Sequence, residues 1–125
     1  MAEIIKNFQN IKSSLSNSNV NIIAVSKTFN LDKIKPLIDF GHNHFGENKV
    51  QEAKDKWTII QQNNPNLKLH MIGKLQTNKV KFAVKLFDYI HSVDSEKLAK
   101  KIVDEQNKLN KKIKIFLFLE EEIRL

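Results

Sequence analysis

The feature that most constrains this chain is a switch between helical and extended hydrophobic periods, repeated through five cycles in 125 residues. Ile4, Ile5, Phe8, Ile11 and Leu15 recur at spacings of three and four, an amphipathic helix that ends in the polar stretch SNSNVN. Asn21 to Val25 is a short β-branched run of the kind a parallel sheet buries on both faces. Leu31, Ile34, Leu37 and Ile38 form the next helical stripe, with Gly41 placed to cap it and Pro36 tolerable only near its first turns. A short strand around His44 and Phe45 follows, then a helix from about Lys49 to Gln61 and a turn at Asn63, Asn64 and Pro65. The spacing predicts a strand over Lys68 to Ile72, a helix over Asn78 to Leu86 and a strand over Tyr89 to Val93. Ser95 caps a helix carrying Leu98, Ile102, Val103 and Leu109, and Ile113 to Leu119 form the last strand.

One helix, then strands and helices in turn, is the pattern of a parallel sheet with crossover helices. No internal repeat or low-complexity segment divides the chain, so residues 1–125 read as a single α/β domain. Two architectures fit: an open doubly wound sheet, or a partial (β/α)8 TIM-type barrel of about five parallel strands, because a whole barrel needs about 200 residues or more. The apolar segment Ile115 to Leu119 is followed only by EEEIRL, with no helix to cover it. An uncovered apolar strand invites pairing, so the expectation is a chain incomplete at its C-terminus, or one that self-associates through its last strand.

Composition narrows the function classes. With no cysteine, a disulfide framework, a thiolate nucleophile and a cysteine metal site are all excluded, and a reducing, cytoplasmic setting is expected. No apolar run approaches the roughly 20 residues that span a bilayer, so no membrane partner is expected. The net charge of +7 favours polyanions or phosphorylated ligands. However, twenty of the twenty-one basic residues are scattered lysines and Arg124 is the single arginine, whereas nucleic-acid recognition favours the guanidinium fork. The charge therefore reads as a solvated surface, and no nucleic-acid partner is expected.

In parallel β/α folds the chemistry gathers where the strands end. Lys27 follows the first strand by two residues, where partial desolvation favours a neutral amine able to form an imine with an aldehyde or ketone. The plain alternative is that one of twenty lysines happens to follow a strand. Gly46-Glu47-Asn48 ends the second strand, Gly73 leads into Lys74-Leu75-Gln76-Thr77-Asn78-Lys79 after the third, and His91-Ser92-Val93-Asp94 ends the fourth. Here too plain readings compete: Asn48 and Asn78 as helix caps, Gly73 as a turn glycine, His70 as a satisfied core histidine. Tyr89, the only tyrosine, lies inside a strand and reads as core.

The strings AVSKT at Ala24 to Thr28, FGENKVQEA at Phe45 to Ala53, HMIGKLQTNK at His70 to Lys79 and HSVDS at His91 to Ser95 resemble, in order and spacing, the pyridoxal phosphate homeostasis family of the YggS type. The resemblance runs from about residue 2 to about residue 117. It implies the alanine-racemase-like (β/α)8 barrel, pyridoxal 5'-phosphate (PLP) held as an internal aldimine by Lys27, and a carrier or regulatory role without catalytic turnover. It also implies that Asn48 lies close to the cofactor ring, with His70, Gly73, Gln76, Asn78, Lys79 and Ser92 at the same rim behind the direct contacts. The family takes its phosphate cup and the arginine facing the pyridine nitrogen from a C-terminal half that has no counterpart in this sequence. The glycines say the same independently, because Gly41, Gly46 and Gly73 form no G-x-G loop.

The leading expectation is a PLP-binding homeostasis protein, not an enzyme. A PLP-dependent racemase-like enzyme would need a second acid/base group opposite the lysine and a group tuning the pyridine nitrogen. A non-functional barrel fragment and, last, a basic nucleic-acid-binding module complete the alternatives. No metal site is expected.

Overall fold

A computed structural model describes residues 3–15 and 20–117. Its elements follow in the order α1 (Glu3–Ser14), β1 (Ala24–Val25), α2 (Leu31–Phe40), β2 (His44–Glu47), α3 (Val50–Asn63) and β3 (Lys68–Met71). A turn of tighter 3₁₀ helix at Thr77–Lys79 leads into α4 (Val80–Leu86), then come β4 (Tyr89–Val93), α5 (Glu96–Lys108) and β5 (Lys114–Leu117). The caps explain several boundaries. Asn30 accepts the Lys33 amide at the start of α2, and Gly41, at φ 105°, closes that helix in the left-handed region as expected. Ser95 accepts the Leu98 amide at the start of α5. Pro36 sits within α2 without ending it.

The five strands are all parallel and pair in chain order, β1-β2-β3-β4-β5. A doubly wound sheet reverses its strand order at a switch point, so this order selects the partial barrel over the open alternative. Strand alternation then sorts the two faces. Phe45, Leu69 and Ile90, all fully buried, face the helices and meet Ile34, Leu37, Trp57, Val84 and Ile102 in one core. The opposite, concave face carries His44, His70, Tyr89 and His91, whose rings contact one another across the strands.

Two elements are shorter than the sequence predicts. β1 keeps only Ala24 and Val25, paired with Phe45 and Gly46, because Asn21 to Ile23 have no ladder partner. β5 is described as Lys114–Leu117, and Phe118 and Leu119 lie outside the described residues. Every residue of β5 is exposed, with Leu117 at 62%. None of the described helices is long and apolar enough to cross a membrane.

Candidate functional site

The strand ends on the C-terminal side form a rim whose backbone is tied together strand by strand. The Ser26 amide donates to Gly46 O at 2.9 Å, and the Ile72 amide donates to Glu47 O at 2.9 Å. Ser92 Oγ reaches back from β4 to Gly73 O at 2.8 Å and Ile72 O at 3.2 Å. These bonds extend the sheet past its last ladder pairs and hold four chain segments in one register.

Beneath the end of β1 lies a buried charge pair. Glu47 is wholly inaccessible, and its carboxylate accepts from Lys56 Nζ at 3.0 Å, from Trp57 Nε1 at 3.0 Å and from Ser26 Oγ. Lys56 Nζ, on α3, also donates to Ser26 O at 2.8 Å. A buried carboxylate with one cation and two further donors is fully satisfied, which offsets the cost of taking it out of water. The next turn is held from the same helix: the Thr28 amide donates to Glu52 Oε2 at 2.9 Å, and Thr28 adopts φ 66°. Left-handed backbone at a threonine is strained, and it persists here between two anchored neighbours.

Lys27 stands between those anchors. Its backbone is pinned on both sides while its side chain is exposed, with no hydrogen bond or ion pair among the described residues. This corrects the expectation of partial desolvation at the strand end: the lysine follows a two-residue strand at the edge of the described sheet, where none of the described residues covers it.

Asn48 and Gly73 touch across the ends of β2 and β3. A Cβ on Gly73 would lie 2.2 Å from Asn48 Oδ1 and 2.5 Å from Asn48 O, so glycine is required for this approach. The helix-cap alternatives for the two asparagines do not hold. Lys49 is the residue before α3 and caps nothing with its side chain, and Asn78 lies inside the 3₁₀ turn, which begins after Gln76. A cavity of about 540 Å³ opens beside Asn48 and is lined also by Lys49, Lys74, Gln76 and Lys79. Asn78 and Lys27 are not part of its lining.

His70 fits its plain alternative, a satisfied buried histidine. It is 4% exposed, and both ring nitrogens are engaged by neighbouring imidazoles: Nε2 with His44 Nδ1 and Nδ1 with His91 Nε2, each at 2.9 Å. Burial first, then the His91 and His44 rings, lower its pKa to about 4. Tyr89 is half-buried rather than core and stacks on His70 with ring centroids 4.1 Å apart.

The rim thus brings Asn48, Gly73 and Ser92 together, sets Gln76 and Lys79 on the adjoining cavity, and leaves Lys27 at the open edge. Sequence reasoning placed Glu47 only at a strand end, without its buried partner, and missed Glu52 and Lys56, although Lys56 adjoins the buried Trp57 on α3. It also missed His44 and His91 as partners of His70. Among the described residues no cluster of His, Asp and Glu is arranged to hold a metal ion.

Comparison with known proteins follows the same geometry. The chain is 39% identical over 97 residues to a pyridoxal phosphate homeostasis protein of Vibrio cholerae, covering 76% of this chain and 41% of that protein. It is 32% identical over 119 residues to the protein of the same name from Pasteurella multocida, covering 94% and 51%. The chain therefore spans about half the length of these curated relatives or less. Among solved structures, PipY of Synechococcus elongatus with PLP bound superposes with a TM-score of 0.88 at 38% identity, over 95% of this chain and 55% of PipY. An alanine racemase of Clostridium difficile shares the fold at 18% identity, with a TM-score of 0.72 over 95% of this chain and 34% of that one. The sequence pattern of the alanine racemase N-terminal domain matches residues 1–121, and the chain belongs to that family.

Proposed function

We propose that this chain binds PLP through an imine on Lys27 and serves in homeostasis of that cofactor rather than in amino-acid turnover. The observation that carries the reading is the double anchoring of residues 26 and 28 around a solvent-facing amine. An amine attacks an aldehyde with loss of one water, and a fixed backbone beneath it lowers the entropy lost in that step. The similarity to PipY with PLP bound supports PLP as the aldehyde. The names of the relatives support a homeostasis role.

The residues present fit the cofactor in part. Lys27 supplies the amine, and Asn48, held by Gly73, supplies a polar group at the same rim. Gln76 and Lys79 offer a donor and a cation on the adjoining cavity, while His70, Gly73, Asn78 and Ser92 act behind the contact layer by shaping the rim. A phosphate is normally held by several backbone donors at a glycine-rich loop or helix start, and residues 3–15 and 20–117 contain no such loop. Binding is accordingly weak and readily reversible. The racemase-like alternative asks for an acid/base group opposite the lysine and a group tuning the pyridine nitrogen. Self-association belongs to the same proposal, because Ile115, Phe116 and Leu117 expose apolar surface at a sheet edge.

A titration with PLP, followed by the visible absorbance of the imine, tests this reading. Saturable absorbance is expected in the unaltered chain and its loss in Lys27→Ala. Equal absorbance in both would refute the assignment. Hydrogen exchange at the α-carbon of alanine in deuterated water, at a rate well above free PLP, would refute the absence of turnover.

A further inference from the structure

Three imidazoles lie on the concave face in one continuous line. His44 comes from β2, His70 from β3 and His91 from β4, linked by two nitrogen-to-nitrogen contacts of 2.9 Å. The line advances along the strands as it crosses them. His44 pairs in register with Lys68, two residues before His70, and His70 pairs with Tyr89, two residues before His91. It therefore runs diagonally toward the strand ends, finishing beside Ser92, whose hydroxyl ties down the rim.

We propose that His44, His70 and His91 form a proton relay across the sheet. A neutral imidazole has one N–H and one bare nitrogen. His70 uses both nitrogens within the line, so it donates to one neighbour and accepts from the other. That requirement propagates and leaves two arrangements. Either all three rings carry hydrogen on Nδ1, with bonds directed from His44 to His91, or all three carry it on Nε2, with bonds directed the opposite way. Conversion between them balances. A proton enters at His44 Nε2, the His44 Nδ1 hydrogen passes to His70 Nε2, the His70 Nδ1 hydrogen passes to His91 Nε2, and one proton leaves from His91 Nδ1. The net charge is unchanged.

The surroundings suit that role. The two outer nitrogens have no protein partner among the described residues, and His44 and His91 are each only part-buried, so both ends can exchange protons. The central ring is 4% exposed and is fixed by its stack on Tyr89, while Phe116 of β5 stacks on His91 with centroids 4.4 Å apart. Among the described residues, the charged and titratable groups on the face of the line are Tyr89, Lys68, which pairs in register with His44, and Lys114, whose ammonium lies 5.6 Å from the Tyr89 ring centroid; no carboxylate contributes to holding a charge on His70. A positive charge is therefore disfavoured at the centre, whereas the two neutral arrangements remain open to the line. The relay is independent of what binds at the rim.

Nuclear magnetic resonance of the full chain, labelled with nitrogen-15 on its histidines and free of cofactor, tests the relay. Scalar couplings are expected between His44 Nδ1 and His70 Nε2 and between His70 Nδ1 and His91 Nε2. The three rings should show one shared tautomer ratio, unchanged by pH while the line stays neutral because the conversion takes up no net proton, whereas His42, outside the line, should keep a ratio of its own. His70→Phe, which preserves the stack on Tyr89, should abolish the correlation between His44 and His91. Where that variant does not fold, His91→Phe should change the tautomer ratio of His44, two strands away, by about two-fold or more, as expected for hydrogen bonds that polarise one another. Absent couplings, opposite tautomers within the line, or an unchanged His44 in His91→Phe would overturn the proposal.

Discussion

Replacing Lys56 with methionine isolates the contribution of the buried charge pair beneath Lys27. The substitution keeps the apolar stem of the side chain and removes the one cation that, among the described residues, is bonded to Glu47, a carboxylate with no solvent access. Trp57 Nε1 and Ser26 Oγ would still donate to it, but Ser26 O would lose its lysine donor. Removing one partner of a buried pair costs about 3–5 kcal/mol, because the remaining charge stays desolvated. With a urea dependence of about 1.5 kcal/mol per molar for a domain of this size, the unfolding midpoint should fall by about 2–3 M. The fluorescence of Trp57, the single tryptophan and itself bonded to Glu47, reports the transition. The double variant Glu47→Gln with Lys56→Met should recover part of the loss, since no charge is then left buried. A loss below about 1 kcal/mol, the value of an exposed ion pair, would refute the reasoning.

Gly73→Ala should push Asn48 from the rim, because the added methyl meets its backbone oxygen at 2.5 Å; destabilisation of about 1–3 kcal/mol by urea unfolding checks this. Lys111→Met removes an ammonium bonded to Val84 O and Phe87 O at 2.9 Å, at the C-terminal end of α4. A loss of about 1–2 kcal/mol is expected, and it should be small if the lysine is merely adjacent. Acid should weaken the fold through His70. The unfolded chain takes up its proton near 6.5 and the folded one only at about 4, so stability declines as pH falls through that window, by at most about 3 kcal/mol. Unfolding midpoints measured from pH 7 to pH 4.5 should slope less in His70→Phe than in the unaltered chain. Burial also lowers the pKa of His42 and His91, so some slope remains.

Local signals carried most of the secondary structure. The β-branched and apolar runs marked the five strands, Gly41 capped α2 through its left-handed backbone, and Ser95 capped α5 through its side-chain oxygen. Strand order was a different matter. Periodicity records which face of a strand is buried but not which strand lies beside it, so the barrel and the doubly wound sheet separated only with the pairing β1-β2-β3-β4-β5. The rim was legible one segment at a time, in the strand-end positions of Asn48, Gly73 and Ser92. It was illegible where segments must meet. Glu47 reads as a strand-end residue and Lys56 as one of the scattered lysines, and only the turn from β2 into α3 buries them together. The histidine line joins residues 26 and 21 positions apart, and its members align only through the sheet register. The desolvation argument at Lys27 failed for the related reason that burial depends on neighbouring strands, and β1 stands at the sheet edge.

The central claim, that Lys27 is the amine this fold presents to an aldehyde, is tested most directly by borohydride reduction after incubation with PLP, followed by peptide mapping. Reduction fixes an imine as a stable secondary amine, so the map records which lysine formed it. The account predicts a label concentrated on the peptide containing Lys27, reduced in Lys56→Met, where the anchor beneath it is lost. A label spread evenly over the twenty lysines would contradict it.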